Sequence, residues 1–212
     1  MFERSVVGSG RVEPSLITRR RLGPTVGSVI IVGLLFGACG EDEQAPPPDV
    51  LPKEGAPLGY GRGGQAYDVR RQRLVYFDGY HPSGSVGGEI TAYNATWKWN
   101  GSVWAQVADA GPSPRYDVAM AYDAVRGVVV LHGGFGACGT EGFSCCNDTW
   151  EWNGVAWRPI DGPGPGPRHS ANLSFDPQTR TLLLFGGDPC GEGSPNRSLW
   201  RFDGQNWSEV GP

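Results

Sequence analysis

Val128-Val129-Val130-Leu131-His132-Gly133-Gly134 is answered, after an insert, by Asp148-Thr149-Trp150-Glu151-Trp152-Asn153-Gly154-Val155-Ala156-Trp157. The first segment is a short β-branched apolar run that stops at two glycines, the pattern of a buried strand ending in a turn. The second alternates large apolar and polar residues, reaches Asn-Gly and resumes with tryptophan. It predicts a hairpin, because Asn and Gly both tolerate the positive φ of a type I′ turn.

Outward from there, the same unit occurs three times. Tyr67-Asp68, Tyr122-Asp123 and Phe175-Asp176 coincide, followed by apolar runs at 74–77, 128–131 and 182–185. These end at Asp78-Gly79, Gly133-Gly134 and Gly186-Gly187. Then come Thr96-Trp97-Lys98-Trp99-Asn100-Gly101, the middle copy quoted above, and Leu199-Trp200-Arg201-Phe202-Asp203-Gly204, closed by Trp104, Trp157 and Trp207. Arg115 and Arg168 are 53 residues apart, as are Trp97 and Trp150, so the register is tight. In the middle copy the four strands are expected near 118–122, 128–131, 149–152 and 157–160. A period near 50 with four short strands per unit is the signature of a propeller blade.

These copies resemble kelch repeats: a double glycine after the second strand, an aromatic residue in the third and a tryptophan in the fourth. The resemblance is to the bacterial exported type whose units run Pro-Arg, Tyr-Asp, Gly-Gly, Asp-Thr-Trp, Asn-Gly, Trp. It implies an all-β fold of kelch-type β-propeller blades, three four-stranded antiparallel sheets in an incomplete, open propeller. The copies are expected at about 58–108, 109–161 and 162–212. The first departs most, with Asp78 in place of a glycine and Arg62 two places late relative to Arg115. Three blades do not close a ring, and Val210-Gly211-Pro212 resembles the start of another linker. A homodimer completing six blades and a truncated fragment are both expected alternatives.

Composition agrees with a packed β domain. Gly 34 and Pro 18 are high, yet 11% of residues are aromatic and all 8 tryptophans fall within the repeats, which argues against disorder. The net charge is −4; without residues 1–38, which hold five Arg and two Glu, 13 basic residues face 20 acidic ones, or −7. A mildly acidic body excludes the basic face that nucleic acid requires.

Residues 1–38 read as an address. Arg19-Arg20-Arg21 precedes a 13-residue weakly apolar run at 26–38, too short for a hydrocarbon core that needs about 20 residues. Basic flank, short apolar region and small residues before a cut site form a signal peptide. Leu35-Phe36-Gly37-Ala38-Cys39 resembles a lipobox, which implies lipidation of Cys39 and a lipid-anchored protein in the bacterial cell envelope. The acidic, Pro-rich stretch 39–57 is expected to be a tether.

With Cys39 acylated, Cys138, Cys145, Cys146 and Cys190 remain. In an exported chain this predicts two disulfides, one inside the middle insert from Cys138 to Cys145 or Cys146. His81, His132 and His169 form no ligand-spaced cluster, so no metal, no cofactor and no catalytic residue is assigned. In the fold that the resemblance implies, the loops near 80–95, 135–148 and 188–198 share a face with the linkers 109–115 and 161–168. Arg115, Tyr116, Arg168 and His169 are the binding-face candidates there, with bracing between blades as the structural alternative for the arginines. The functional expectation is a non-catalytic binding protein with a protein or glycan ligand and a membrane contact through lipid alone. An exported carbohydrate-acting enzyme, mutarotase-like or oxidase-like, is the alternative.

Overall fold

The middle sheet shows why its sequence is so apolar. Ala119–Asp123, Val128–His132, Thr149–Trp152 and Trp157–Ile160 form an antiparallel meander, and all five residues of Val128–His132 are buried. Period-two alternation sends them both ways. Val129 and Leu131 pack with Ala66, Val75 and Phe77 of the preceding sheet. Val128 and Val130 pack with Leu173, Leu182, Leu184 and Phe202 of the following one.

In this computed structural model, residues 53–57, 61–82, 90–139, 142–191 and 196–211 are described, all within the unit Gln44–Pro212. The expected signal segment and Cys39 lie outside them. The first sheet contains Gly64–Asp68, Arg73–Phe77, Thr96–Trp99 and Trp104–Ala108, and the last contains Asn172–Asp176, Thr181–Phe185, Leu199–Phe202 and Trp207–Gly211. The described residues are all-β, in propeller-like blades whose first strands lie beside one another. The first sheet has a fifth strand: Lys53–Glu54, in the stretch expected as tether, pairs with Trp104–Ala108. Among the described residues no helix is long and apolar enough to cross a membrane.

The Asn-Gly hairpins differ in detail from a two-residue type I′ turn. Trp152 pairs with Trp157, leaving four loop residues, and only Gly154 has positive φ, at 101°. The Asn153 Oδ1 accepts the Val155 and Ala156 amides at 2.8 and 2.9 Å. Asn100 and Asp203 repeat this. Asparagine is thus used as an acceptor that closes a wider loop, as Asx turns do.

Each junction between sheets has the same parts. The Trp157 indole donates to the Thr96 Oγ1 at 2.7 Å and lies edge-on to Phe77, 5.9 Å between centroids. Trp207 donates to the Thr149 Oγ1 at 3.0 Å and faces His132 at 5.3 Å. Arg71 and Arg126, on the turns after the first strands, both reach a carbonyl of the next sheet, though on different turns: Gly127 after its first strand and Gly204 after its third. The two outer faces differ. On the first sheet Tyr67 (53% exposed) and half-buried Leu74, Tyr76, Trp99 and Trp104 occupy places where the middle sheet is buried against its neighbour. On the last sheet Thr179 stands where Arg71 and Arg126 do, Leu199 replaces the acceptor threonine, and Phe185 is 49% exposed. A head-to-tail homodimer completing six blades would therefore lack the tryptophan–threonine bond and the arginine at its new junctions.

Burial, with the Arg168 charge as the next cause, pushes His132 down to about 4. Its folded value is depressed below the unfolded 6.5, so its contribution to stability is complete above pH 6.5 and is lost as pH falls toward 4. The expected loss is about 1.4 kcal/mol per pH unit across that window. His132→Phe, the residue found at positions 77 and 185, should remove this component. Urea unfolding of both proteins at pH 7.5 and 5 checks it, and equal pH dependence would refute the assignment.

Candidate functional site

Three equivalent residues, Arg62, Asp117 and Ser170, sit just before the first strand of each sheet with φ of 62°, 54° and 56°. This left-handed conformation is unfavourable for a side-chain-bearing residue, by roughly 1–2 kcal/mol each. Hydrogen bonds from one blade to the next hold it: the Asp117 amide donates to the Arg62 carbonyl at 2.7 Å, and the Ser170 amide to the Asp117 carbonyl at 2.8 Å. The three residues thereby bring the starts of the first strands together at one mouth.

The insert after Gly134 builds a platform over that mouth. Arg115–Tyr116, Phe135–Gly136 and Ser144–Cys145 form a small antiparallel sheet. Gly133 and Gly134 have φ of 68° and 103°, and a Cβ on Gly133 would collide with the Arg168 carbonyl, so glycine is required where the chain leaves the blade. Two disulfides staple the platform. Cys138 joins Cys146 within the insert, and Cys145 joins Cys190 on the neighbouring loop, with Cα separations of 5.3 and 5.7 Å. The expected pair of disulfides is present, and the choice left open for Cys138 falls on Cys146. Two bridges fit an oxidising, exported setting. Cys145, His169 and Cys190, and likewise Cys138, Cys146 and Asp148, place donors within 4.8 Å of one another. In the disulfide state their sulfurs are not thiolate ligands.

A run of rings crosses the mouth. Tyr80 and Tyr116 are 5.3 Å apart, Tyr116 and Phe135 5.6 Å, and Phe135 and Phe143 6.2 Å with planes 11° apart. The Arg62 guanidinium lies over Tyr80 and Tyr116 at 6.0 and 5.7 Å and pairs with the Asp117 Oδ2 at 3.3 Å while its side chain stays 57% exposed. Phe143 is 43% exposed. His169 meets Phe135 edge-on at 5.7 Å. Its Nδ1 lies 2.9 Å from the Ser170 Oγ and 3.8 Å from the Asp117 Oδ2. Burial pushes the Tyr116 hydroxyl up, an effect the Arg62 charge opposes.

No family model and no curated protein matches the chain. Among solved structures, one described as "Structure of YjhT" matches with a TM-score of 0.56 at 17% identity, over 76% of this chain and 53% of its own. The likeness is one of fold. The chain spans about half the length of that neighbour.

The candidate residues chosen from sequence divide. Tyr116 lies within the ring run, buried at 7% exposure, and half-buried His169 lies beside it. Arg115 is buried and all its donors are engaged: Nε on the Ser113 carbonyl at 3.0 Å, Nη1 on the Gly133 carbonyl and the Asp148 Oδ1 at 3.2 and 2.5 Å, and Nη2 on the Ser113 Oγ and the Asp148 Oδ2 at 2.8 and 2.9 Å. Burial pushes the Asp148 carboxyl up, but Arg115 and the Trp150 indole outweigh it and hold it below the ordinary carboxylate range. Arg168 is buried likewise, and among the described residues its hydrogen bonds all go to carbonyls. Tyr80, Asp117, Phe135, Phe143 and Ser170 were not chosen as site residues from sequence, and Arg62, noted there as a displaced counterpart of Arg115, is instead the equivalent of Asp117. Positions 62, 117 and 170 share a backbone conformation and no side-chain type, so no repeat signal marks them.

Proposed function

We propose that the chain is a non-catalytic, kelch-type binding module of the bacterial envelope, anchored through Cys39, whose mouth binds a glycan. The observation that carries this reading is the ring run Tyr80–Tyr116–Phe135–Phe143, capped by the exposed Arg62 and held on a disulfide-stapled platform. Flat apolar rings beside a charged donor suit the apolar faces and hydroxyl edges of pyranoses, and a rigid platform lowers the entropic cost of binding. The lipobox-like Leu35-Phe36-Gly37-Ala38-Cys39 supports the anchor.

Calorimetric titration of the full chain with a panel of neutral and acidic oligosaccharides tests the site. Phe143→Ala and Arg62→Ala should each weaken the binding sugar at least ~10-fold, the effect of losing roughly 1.4 kcal/mol, while thermal midpoints stay unchanged. No saturable binding across the panel, or binding indifferent to both variants, refutes it. Cys39→Ser should move the protein from membrane to soluble fractions.

The carbohydrate-acting enzyme is favoured by one observation, the approach of His169 to Asp117 beside Ser170. Such a pair could move a proton at the mouth. Chemical turnover of a bound sugar, abolished by His169→Ala with binding retained, would select it.

A further inference from the structure

The buried arginines of the middle and last sheets occupy equivalent places, 53 positions apart, and differ in one respect. Arg115 grips the carboxylate of Asp148 with one N–H from each terminal nitrogen. The residue equivalent to Asp148 in the last sheet is Ser198: the Gly133 amide donates to the Asp148 carbonyl at 3.1 Å, as the Gly186 amide does to the Ser198 carbonyl at 3.4 Å. The indoles repeat the relation, Trp150 donating to Asp148 and Trp200 to Ser198, at 2.6 and 2.9 Å.

A guanidinium has five N–H donors. Arg168 uses three, on the carbonyls of Gly166 and Gly186 at 3.4 and 2.9 Å and on that of Pro165. The Gly166 and Gly186 bonds are those that Arg115 makes to Ser113 and Gly133. One N–H on each terminal nitrogen is left over, the same number from each that Arg115 gives to Asp148. No carboxylate among the described residues forms an ion pair with Arg168, although the Glu209 charge acts on it from a distance. A buried guanidinium without a counter-charge is costly unless something neutralises it. In the first sheet the counterpart of Asp148 is Ala95 and that of Arg115 is Tyr60, outside the described residues, so both charges are replaced together. In the last sheet only the acid is replaced, and by a smaller side chain. The Asp148 side chain is 40% exposed and Ser198 is half-buried, so the equivalent place in the last sheet borders solvent.

The geometry points to a carboxylate-binding site in the last sheet, in which a bound carboxylate takes the place of Asp148, gripped by the fork of Arg168 beside Ser198 and Trp200. The site is separate from the ring run at the mouth, and its test does not depend on any sugar. The probe is acetate, exchanged for chloride at constant ionic strength, with the full chain followed by thermal unfolding. Wild type should show a saturable rise in midpoint with acetate. Ser198→Asp should rebuild the internal pair, raise the midpoint without acetate by ~2–4 °C or more, and lose the acetate response. Glu209→Gln should keep that response. Asp148→Ser, which makes the middle sheet like the last, should add a second acetate response, and it decides the matter should Ser198→Asp fail to fold. No difference between acetate and chloride, an acetate response retained in Ser198→Asp, or a Glu209→Gln variant that has lost it overturns the proposal. Sulfate matching acetate at equal concentration overturns its restriction to planar carboxylates.

Discussion

Trp157→Ala is expected to destabilise the protein by about 3–5 kcal/mol, the cost of emptying a large ring from a core. Trp157 is buried at the first junction, edge-on to Phe77 and 5.6 Å from the Trp152 ring. Its indole also satisfies the Thr96 hydroxyl oxygen, buried with no exposure. Alanine would leave a cavity that the first and middle sheets cannot both close, plus a polar group without its donor. Against a total stability of roughly 5–15 kcal/mol for a domain, this is the largest single-residue effect expected. Urea unfolding of the variant beside Val155→Ala, an exposed neighbour expected to stay within about 0.5 kcal/mol, measures it. A Trp157→Ala loss below about 1 kcal/mol would mean that the junction is not a packed core.

The two disulfides should contribute unequally. Cys145–Cys190 closes a separation of 45 residues and Cys138–Cys146 one of 8. Loop-closure entropy then gives roughly 4 kcal/mol for the longer bridge and roughly 2.6 kcal/mol for the shorter. Cys145→Ala with Cys190→Ala should therefore lower stability more than Cys138→Ala with Cys146→Ala. The longer bridge also joins loops of different blades, so its loss should loosen the platform on which Phe135 and Phe143 stand and weaken sugar binding. Denaturant unfolding of both double variants checks the order; equal losses, or the reverse order, would contradict the chain-entropy account.

Much of the fold was legible because repetition made it so. The second strand ends at a double glycine in two of three copies, and Trp97, Trp150 and Trp200 recur at intervals of 53 and 50 residues, so strands and junction rings could be placed within about a residue. The first strand of the middle sheet begins at Ala119 rather than 118, and the second extends to His132. The candidate site was less legible. Tyr116 and His169 could be picked out beside the repeated arginines, and the insert with three cysteines marked the region. Arg62, Asp117 and Ser170 could not, since what they share is a positive φ and a chain of amide-to-carbonyl bonds. Tyr80 and Phe143 come from loops that the repeat does not govern.

By itself the sequence determined an all-β chain of repeated antiparallel units, where its apolar stripes lie, and that four cysteines in an exported setting should pair. Those properties follow from local periodicity and composition, which neighbouring residues settle among themselves. The tertiary structure alone decided which cysteine Cys138 meets, that Arg115 pairs with a carboxylate while its equivalent Arg168 forms no ion pair among the described residues, and that rings from three separate segments form one surface. Each of these depends on distances between residues far apart in the chain, set by how one sheet packs on the next, and no local pattern encodes them.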